Sequence, residues 1–341
     1  MGFKHRPPRQ ATRLADEWRL WTVENLLAGA TPDDIAATLI DSNVPPALAR
    51  REIDAIVESP ALAACRLLDL RARRLSLLSE LPRRLARDAT SPADIERRPM
   101  ITGAELYDRY WARSEPVVLT ELTRDWPARS WTPETLTARF GTVAIEACIG
   151  RNGDPEPDMH WEDHRQTLPL AELFERVGAA GVSNDIYVIA HNRAIERPAL
   201  APLLDDVHID PELFDPTDHA TAMSLWIGPA GTVTPLHHDT TNIAFNQLYG
   251  RKRFRLVPPW ESAVLDGARG FYAGSRVDEL AARLPHLLIK EVVLEPGETL
   301  FLPVGWWHEV EALDVSISLS LLCFRRPNAF DWYRPGLVTG T

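Results

Sequence analysis

The sequence has few cysteines and no long apolar run, and these two absences argue against several classes of protein. Only three cysteines occur among the 341 residues, widely separated and beside apolar sequence: Cys65, Cys148 and Cys323. Neither a disulfide framework nor a cysteine-based zinc site fits that spacing. No stretch approaches the ~20 apolar residues of a membrane-spanning helix, and the basic N-terminus is not followed by the apolar core of a signal peptide. We therefore expect a cytoplasmic protein without a membrane partner.

Basic residues are scarce relative to acidic ones. The chain carries 37 Lys and Arg against 48 Asp and Glu, which gives a formal net charge of -11 and a pI near 5.4. Nucleic-acid binding draws most of its affinity from clustered Lys and Arg, so nucleic acid is not an expected partner. With 45% hydrophobic residues, the chain is long enough for one main domain and a smaller appendage.

Residues 1–90 are predicted to form a helical unit, because apolar residues recur there at three- and four-residue steps. Thr31-Pro32-Asp33-Asp34 combines an N-cap threonine, a first-turn proline and two acids, so a helix should begin there and end near Asn43. The Leu- and Arg-rich segment 63–87 predicts an amphipathic helix whose apolar stripe packs on the main domain or on a second subunit. The unit would then form a homodimer or guide the substrate, and the sequence does not choose between these.

Residues 91–341 have a different texture, with short β-rich runs separated by Pro and Gly. Strands are predicted within the following ranges: 116–120, 186–190, 243–248, 253–257, 289–294, 299–302 and 315–322. Helical inserts such as 132–140 interrupt them. Many short strands at irregular spacing are typical of a double-sheet jelly roll, so the fold class is mainly β with surrounding helices and an N-terminal helical unit.

A candidate metal site lies in the segment His237-His238-Asp239. Side chains two positions apart in a strand share a face, so His237 and Asp239 point the same way and His238 points the other way. A second imidazole is offered by His308, which follows a Pro-Gly turn and an apolar strand. Two histidines and one carboxylate leave coordination positions open, an arrangement that suits non-haem Fe(II) with a bidentate ketoacid and O2.

Lys252 provides an independent indication of an anionic ligand. Strand alternation places Lys252 on the apolar side with Phe254 and Leu256, and a buried ammonium needs an anionic partner. The distal carboxylate of 2-oxoglutarate would be that partner, whereas the structural alternative is a lysine that reaches the edge of the sheet or pairs with a protein carboxylate. The serines between residues 316 and 320 also share one face, and their closeness in sequence to His308 favours a face that lines a wet cavity.

Two motifs, in this order, resemble the cupin-like JmjC oxygenases, the group that includes the asparaginyl hydroxylase of hypoxia-inducible factor. They are TPLHHDTTNIAFNQLYGRKRFRLVPP, from Thr234 to Pro259, and EPGETLFLPVGWWHEVEALDVSISLS, from Glu295 to Ser320. The resemblance covers about residues 95–330. It implies a double-stranded β-helix in which His237, Asp239 and His308 bind Fe(II), with 2-oxoglutarate and O2 as cosubstrates.

The resemblance also implies which residues contact the cosubstrate. Lys252 and Thr234 would bind the distal carboxylate of 2-oxoglutarate, Tyr187 would lie beside the cosubstrate, and Asn242 would be a polar contact near its ketoacid end. The last strand departs from the family pattern, because Ser320 stands where the relatives often carry asparagine. This departure bears on the contacts around the cosubstrate and leaves the three metal ligands and the lysine intact.

The implied activity is hydroxylation of a peptide or protein side chain. The same chemistry on a small molecule, and a non-catalytic metal-binding cupin module, are the alternatives. The acidic segment 154–163 would form the rim for a basic substrate or be an ordinary solvated loop. Three tryptophans, Trp226, Trp306 and Trp307, would either wall the site or pack in the core.

Overall fold

The computed structural model describes residues 12–88, 94–217, 222–265 and 271–330. The chain divides into two compact units, residues 1–82 and 83–341. The boundary predicted at residue 90 lies outside the described residues. No helix in the described ranges is both long enough and apolar enough to cross a membrane.

The first unit is helical. Its helices are α1 (Asp16–Ala28), α2 (Pro32–Asp41), α3 (Pro46–Val57) and α4 (Pro60–Asp88), the last of which continues beyond residue 82. The Thr31 hydroxyl accepts a hydrogen bond from the Asp34 backbone N–H at 3.2 Å, and the Asp34 carboxylate accepts one from the Thr31 backbone. This reciprocal cap satisfies two free N–H groups and fixes where α2 begins, which confirms the predicted helix. Its apolar face, with Ile35 and Leu39, is buried against α3.

The helices of the second unit are short. They are α5 (Gly103–Glu105), α6 (Pro133–Phe140), α7 (Trp161–His164), α8 (Leu170–Ala179) and α9 (Val277–Arg283), and a π-helical segment (Leu106–Trp111) continues α5. Further single turns are 3-10 helices: Pro127–Ser130, Arg151–Gly153, Ala190–Asn192, Ala201–Asp206 and Pro259–Val264. Thr132 caps α6 through the Thr135 backbone N–H, so the helix predicted at residues 132–140 is confirmed.

The second unit is built mainly from short strands. They are β1 (Glu96–Arg98), β2 (Val117–Leu119), β3 (Ala144–Ile149), β4 (Arg165–Pro169), β5 (Ile186–Tyr187), β6 (Met223–Gly228), β7 (Val233–His237), β8 (Ile243–Tyr249), β9 (Lys252–Val257), β10 (Lys290–Leu294), β11 (Thr299–Leu302), β12 (Trp307–Ala312) and β13 (Ser316–Leu321). Each predicted strand corresponds to one of these. The segment expected at 186–190 is the shortest, with only two residues in the ladder.

The described strands form a six-stranded sheet in the order β1-β2-β11-β8-β13-β6 and a four-stranded sheet in the order β10-β9-β12-β7. All neighbours in these two sheets are antiparallel except β1 and β2. Phe245 and Leu300 of the first sheet meet Phe254, Leu256 and Val310 of the second in one buried cluster. Two antiparallel sheets packed face to face form the jelly-roll core, so the predicted fold class is confirmed.

The outer faces of both sheets are also covered. Leu319 on the outer face of the six-stranded sheet belongs to the same buried cluster as Leu136 of α6 and Leu173 of α8. On the four-stranded sheet, Trp307 packs in a cluster with Leu280 of α9. Because each central strand is buried on both faces, a polar side chain there must have a hydrogen-bond partner or line a cavity.

Candidate metal centre

The three predicted metal ligands lie together at one end of the four-stranded sheet. β7 ends at His237, which is directly opposite His308 in the antiparallel ladder between β7 and β12. Asp239 follows β7, and its Oδ2 lies 3.9 Å from His237 Nε2 and 3.5 Å from His308 Nε2. One ligand atom from each residue fits within a span of 4.8 Å. Sheet register therefore brings two distant segments of the sequence to one point.

His238 points away from this cluster, as the alternation predicted. Its ring packs edge-on against Trp307 at 4.6 Å between centroids and against Phe271 at 5.5 Å. Burial lowers its pKa, so the neutral imidazole is favoured. Adjacent histidines thus occupy opposite faces, one in the candidate centre and one in the hydrophobic cluster beneath α9.

Backbone carbonyl groups orient both imidazoles of the centre. His237 Nδ1 lies 2.7 Å from the Pro235 carbonyl oxygen, and His308 Nδ1 lies 3.0 Å from that of Trp306. Because a carbonyl oxygen only accepts, each Nδ1 must carry the proton, which leaves the Nε2 lone pair for a metal ion. Burial, with a smaller contribution from the neighbouring His237, lowers the pKa of His308 to about 3. His308 is therefore neutral near pH 7, the form that binds metals.

A cavity of about 200 Å³ opens onto the three ligands. Its wall is mostly apolar, with Ile243, Phe254, Leu302 and Val310 among the lining residues. Polar groups converge from several elements: Asp158, Tyr187, Thr234, Tyr272 and Ser320 also line it. An apolar chamber with a few convergent polar groups is typical of a small-ligand site.

Lys252 lies behind the aromatic wall of this cavity and is only 1% exposed. Its Nζ donates a hydrogen bond to the Tyr187 hydroxyl at 3.2 Å and lies 5.2–5.9 Å from the ring centroids of Phe245, Tyr187 and Trp226. No carboxylate among the described residues pairs with it. Burial alone lowers its pKa from 10.5 to about 7. The site thus holds a buried lysine that has no carboxylate beside it in the described part of the chain.

Thr234 and Tyr187 connect Lys252 to the cavity. The Thr234 hydroxyl donates to the Tyr187 hydroxyl at 3.4 Å, and the two residues line the cavity on strands β7 and β5. Burial raises the pKa of Tyr187 to about 12, so its hydroxyl is protonated near pH 7. The structure therefore brings Lys252, Thr234 and Tyr187 together, as the sequence predicted, and their roles toward a cosubstrate remain predictions.

The serine face of β13 is buried, and its members differ in their surroundings. Ser320 lines the cavity, where its hydroxyl accepts a hydrogen bond from Trp226 Nε1 at 3.2 Å. Ser318 instead donates to the Gln247 side chain at 2.8 Å, and Ser316 Oγ is buried without a hydrogen-bond partner within the described ranges. The expected cavity-lining role thus holds for Ser320 alone.

Asn242, predicted as a polar contact near the ketoacid end of the cosubstrate, hydrogen-bonds to two loops of the protein, and its role toward a cosubstrate stays a prediction. Its Oδ1 accepts a hydrogen bond from the Val304 backbone N–H at 3.0 Å, and its Nδ2 donates to Asn328 Oδ1 at 2.9 Å. It is not among the residues that line the cavity. Asn242 lies in the bend before β8, where strand alternation does not apply, and it anchors the loop that leads to His308.

Of the three tryptophans considered for the wall, only Trp226 lines the cavity. Trp306 is buried in the sandwich core and donates its Nε1–H to the Ser114 carbonyl oxygen at 2.8 Å. Trp307 packs on the opposite face with α9 and donates to Ser262. The two adjacent tryptophans point to opposite sides of β12, so both support the sheet and leave the cavity open.

Three further residues at the site were missed by the sequence analysis. Arg151, fully buried, donates to Asp158 Oδ2 at 2.9 Å and stacks over Tyr187, with its guanidinium carbon 5.5 Å from the ring centroid. Tyr272 stacks on the His237 ring at 5.7 Å between centroids. Asp158 belongs to the acidic segment 154–163, and that acidic composition was the one sequence feature that pointed to any of these three residues. At the start of that segment, Asp154 accepts hydrogen bonds from His160 and from His164, which directly follows the segment.

The sequence also matches a known family over most of this unit. Residues 103–322 match the Cupin-like domain. This chain belongs to the cupin-like (JmjC) family. The match begins at α5 and ends just beyond β13, so it includes all three candidate ligands.

Several named proteins are similar to this cupin-like chain. Lysine-specific demethylase 8 of Xenopus tropicalis is 29% identical over 226 residues, covering 62% of this chain and 49% of that protein. Lysine-specific demethylase JMJ30 of Arabidopsis thaliana is 27% identical over 239 residues, covering 66% and 54%. HSPB1-associated protein 1 homolog of Danio rerio is 30% identical over 234 residues, covering 60% and 51%. The aligned part of the chain spans about half the length of these curated relatives.

Proposed function

We propose that this chain is an Fe(II)- and 2-oxoglutarate-dependent oxygenase that hydroxylates a side chain of a peptide or protein. The observation that carries the proposal is the buried Lys252 ammonium group, which has no protein carboxylate beside it in the described structure. A cavity that also exposes two imidazoles and a carboxylate lies directly in front of it. The combination is difficult to explain as packing alone, because an unpaired buried cation destabilises a fold.

The donor set fits Fe(II). Two imidazole nitrogens and one carboxylate oxygen form the ligand set of non-haem iron oxygenases, and carbonyl hydrogen bonds hold both imidazoles with Nε2 toward the cluster. When bound, the iron with 2-oxoglutarate would supply the oxidising chemistry that inserts one atom of O2 into a C–H bond. His237, Asp239 and His308 would hold the metal, with Asp239 the most exposed of the three at 38%.

The remaining groups would bind and shield the cosubstrate. A 2-oxoglutarate carboxylate at the Tyr187 hydroxyl would supply the counter-ion that Lys252 lacks, and Thr234 would donate a further hydrogen bond there. The apolar lining would exclude water from the reacting groups. Ser320 stands where the relatives often carry asparagine, and its hydroxyl already accepts from Trp226. We therefore assign it to the wall of the site, where it positions the indole.

A peptide or protein substrate is supported by the surface beside the cavity. A groove of about 280 Å³ lies next to it, and the two share Asp158 and Tyr272 as lining residues. The groove is also lined by residues of loops, of β7 and of α9: residues 155–157, Met159, Asn184, Val233, Pro235, Leu236, residues 274–276 and Glu279. The cavity admits little more than one side chain beside a cosubstrate, whereas the adjoining groove would accommodate the flanking chain.

A second candidate is demethylation of an N-methyl-lysine side chain. It is favoured by the names of two similar proteins, both of which are called lysine-specific demethylases. Hydroxylation of an N-methyl carbon gives a hemiaminal that releases formaldehyde, so the same site chemistry serves both reactions. The substrate carbon distinguishes them: the product gains an oxygen in one case and loses a methyl group in the other.

The first experiment is an anaerobic titration of metal-free protein with Fe(II) and 2-oxoglutarate, following the metal-to-ketoacid charge-transfer band. We expect a band with the native chain, loss of the band in His237→Ala, and no change in His208→Ala, which alters an exposed histidine outside the site. Folded, iron-loaded protein that gives no band would reject the 2-oxoglutarate assignment and leave a metal-binding cupin module.

Substrate class is then tested aerobically. Peptide pools, methyl-lysine peptides and a panel of small metabolites are incubated with the loaded enzyme, and products are read by mass spectrometry with isotopically labelled O2. Label incorporated into an unmethylated peptide supports the proposal. Formaldehyde release with loss of a methyl group supports demethylation, the second candidate. Isotopic label found only in a small metabolite contradicts a peptide or protein substrate.

A further inference from the structure

Helix α4 carries a large exposed leucine face. Eight leucines between residues 67 and 85 are 46–69% exposed: Leu67, Leu68, Leu70, Leu75, Leu77, Leu78, Leu81 and Leu85. The start of the helix is anchored differently, since Leu62 is buried in the core of the first unit and the Arg73 guanidinium donates to the Leu27 carbonyl oxygen at 3.1 Å. An exposed leucine is ordinary, but eight on one helix form a contiguous patch.

The leucines share one side of the helix. At 3.6 residues per turn, all eight project within about half of the circumference. The opposite half carries polar residues, among them Arg66, Asp69, Arg73 and Glu80. α4 is therefore amphipathic, and its apolar side is the one that faces solvent. This orientation indicates that another surface covers the apolar side.

The size of this leucine face matches a protein interface. At the exposed fractions observed, the eight side chains present roughly 900 Å² of apolar surface, close to the ~800 Å² that each partner contributes to a stable complex. A typical monomer exposes no contiguous apolar patch beyond about 300–600 Å². A partner of similar dimensions, such as another helix of the same length, would cover it.

We propose that the α4 leucine face pairs with the same face of a second copy of this chain, with the two helices antiparallel. A two-fold axis near the middle of the face makes the surface self-complementary, because leucines at three-, four- and seven-residue spacings interdigitate with their own copies. Arg71 and Arg74 lie within the leucine face. Antiparallel pairing places them opposite Leu81 and Leu78 of the second copy, whereas parallel pairing would set each arginine against its own copy.

The composition of α4 favours a second copy over a membrane surface. Helices that lie in the membrane interface usually combine basic residues with Trp or Phe on the apolar side. α4 contains no aromatic residue that would anchor it in the membrane interface. Its charge is net basic, with seven arginines against three acidic residues, Asp69, Glu80 and Asp88, so anionic vesicles are the comparison that the test below includes.

The test is the solution mass of the full chain, measured by sedimentation equilibrium and by light scattering after gel filtration. We expect a species of twice 38.3 kDa that dissociates on dilution. Replacing Leu75 and Leu78 with Glu should weaken association by at least about 100-fold, because four charges would enter the apolar interface of each dimer. Leu20→Glu, which alters a leucine of α1 that is 60% exposed, is the matched control and should leave the dimer intact.

Several outcomes would overturn the proposal. They are a monomer at every concentration, a dimer that survives the double substitution, and a monomer that co-sediments with phosphatidylserine vesicles through its leucines. Far-UV circular dichroism checks that each variant retains its helices. If the Glu pair unfolds the first unit, the neutral pair Leu75→Gln and Leu78→Gln replaces it, with the same expected dissociation.

Discussion

Replacing Lys252 with methionine is expected to stabilise the protein without cosubstrate and to abolish tight binding of 2-oxoglutarate. Lowering the pKa of a buried lysine from 10.5 to about 7 corresponds to about 5 kcal/mol of destabilisation, since each tenfold change in a proton equilibrium is worth about 1.4 kcal/mol. Methionine removes this cost and keeps the length and most apolar contacts, but the lost hydrogen bond to Tyr187 and the imperfect fit of the new side chain cost about 3 kcal/mol together. We therefore expect a net gain of about 2 kcal/mol.

The gain should depend on pH with a definite sign. Below pH 7 both the folded and unfolded chains hold the Lys252 proton, and the full cost of burying the ammonium group is present. Between pH 7 and 10.5 the unfolded chain binds the proton that the folded chain has released, so stability of the native protein rises with pH. The stabilising effect of Lys252→Met should therefore be largest below pH 7 and decrease above it.

The assay pairs urea denaturation at two pH values with calorimetric titration of 2-oxoglutarate into the Fe(II)-loaded protein. Truncating one member of a buried charge pair costs about 2–5 kcal/mol of binding, so affinity should fall by at least about 30-fold. Lys290→Met is the control, because Lys290 is near the Glu115 carboxylate at 3.4 Å and should show neither effect. A Lys252→Met variant that is less stable below pH 7, or that binds 2-oxoglutarate as well as the native chain, would refute the reasoning.

Further expectations concern pH, the metal loop, the groove and the first unit. Affinity for 2-oxoglutarate should fall as pH rises above about 7, because the Lys252 amine must be protonated to pair with a carboxylate. Calorimetric titration at pH 6.5 and 8.5 measures this change, and equal affinities at the two pH values would contradict it. Asn242→Ala should lower Fe(II) affinity about 10-fold by freeing the loop before His308, measured by competition with a chelator; unchanged affinity would contradict the anchoring role. Tyr272→Ala should leave the charge-transfer band intact and raise the KM for a substrate about 10-fold, whereas a lost band would place Tyr272 in the metal centre instead. Thr31→Ala should destabilise the first unit by about 1 kcal/mol in urea denaturation followed by circular dichroism, and no change would show that the α2 cap is dispensable.

Some features of the site follow from local sequence alone. The two-residue period of a strand determined that His237 and His238 face opposite ways and that Lys252 lies with Phe254 on the apolar side. The N-cap pattern at Thr31 determined where α2 begins. In each case the physical cause is contained in a few consecutive residues, and so the sequence is sufficient.

Local patterns left contacts undecided where a residue lies outside regular structure or where two elements meet. Asn242 lies in the bend before β8, where its carboxamide contacts the loop of Val304, and strand alternation says nothing about that contact. Trp306 and Trp307 were equal candidates for the wall, and the strand sends them to different hydrophobic clusters. Tyr272 carried no sequence signal, because its role depends on its contact with His237.

The sequence by itself determined the faces on which His237, His238 and Lys252 lie, the helical first unit and the jelly-roll class. Only the tertiary structure decided which faces meet: the register of β7 on β12 brings His237 to His308, and Lys252 reaches a tyrosine 65 residues away in sequence. Side-chain direction is set by backbone geometry over two or three residues. Register between strands is set instead by packing across the whole sandwich, which no single segment encodes.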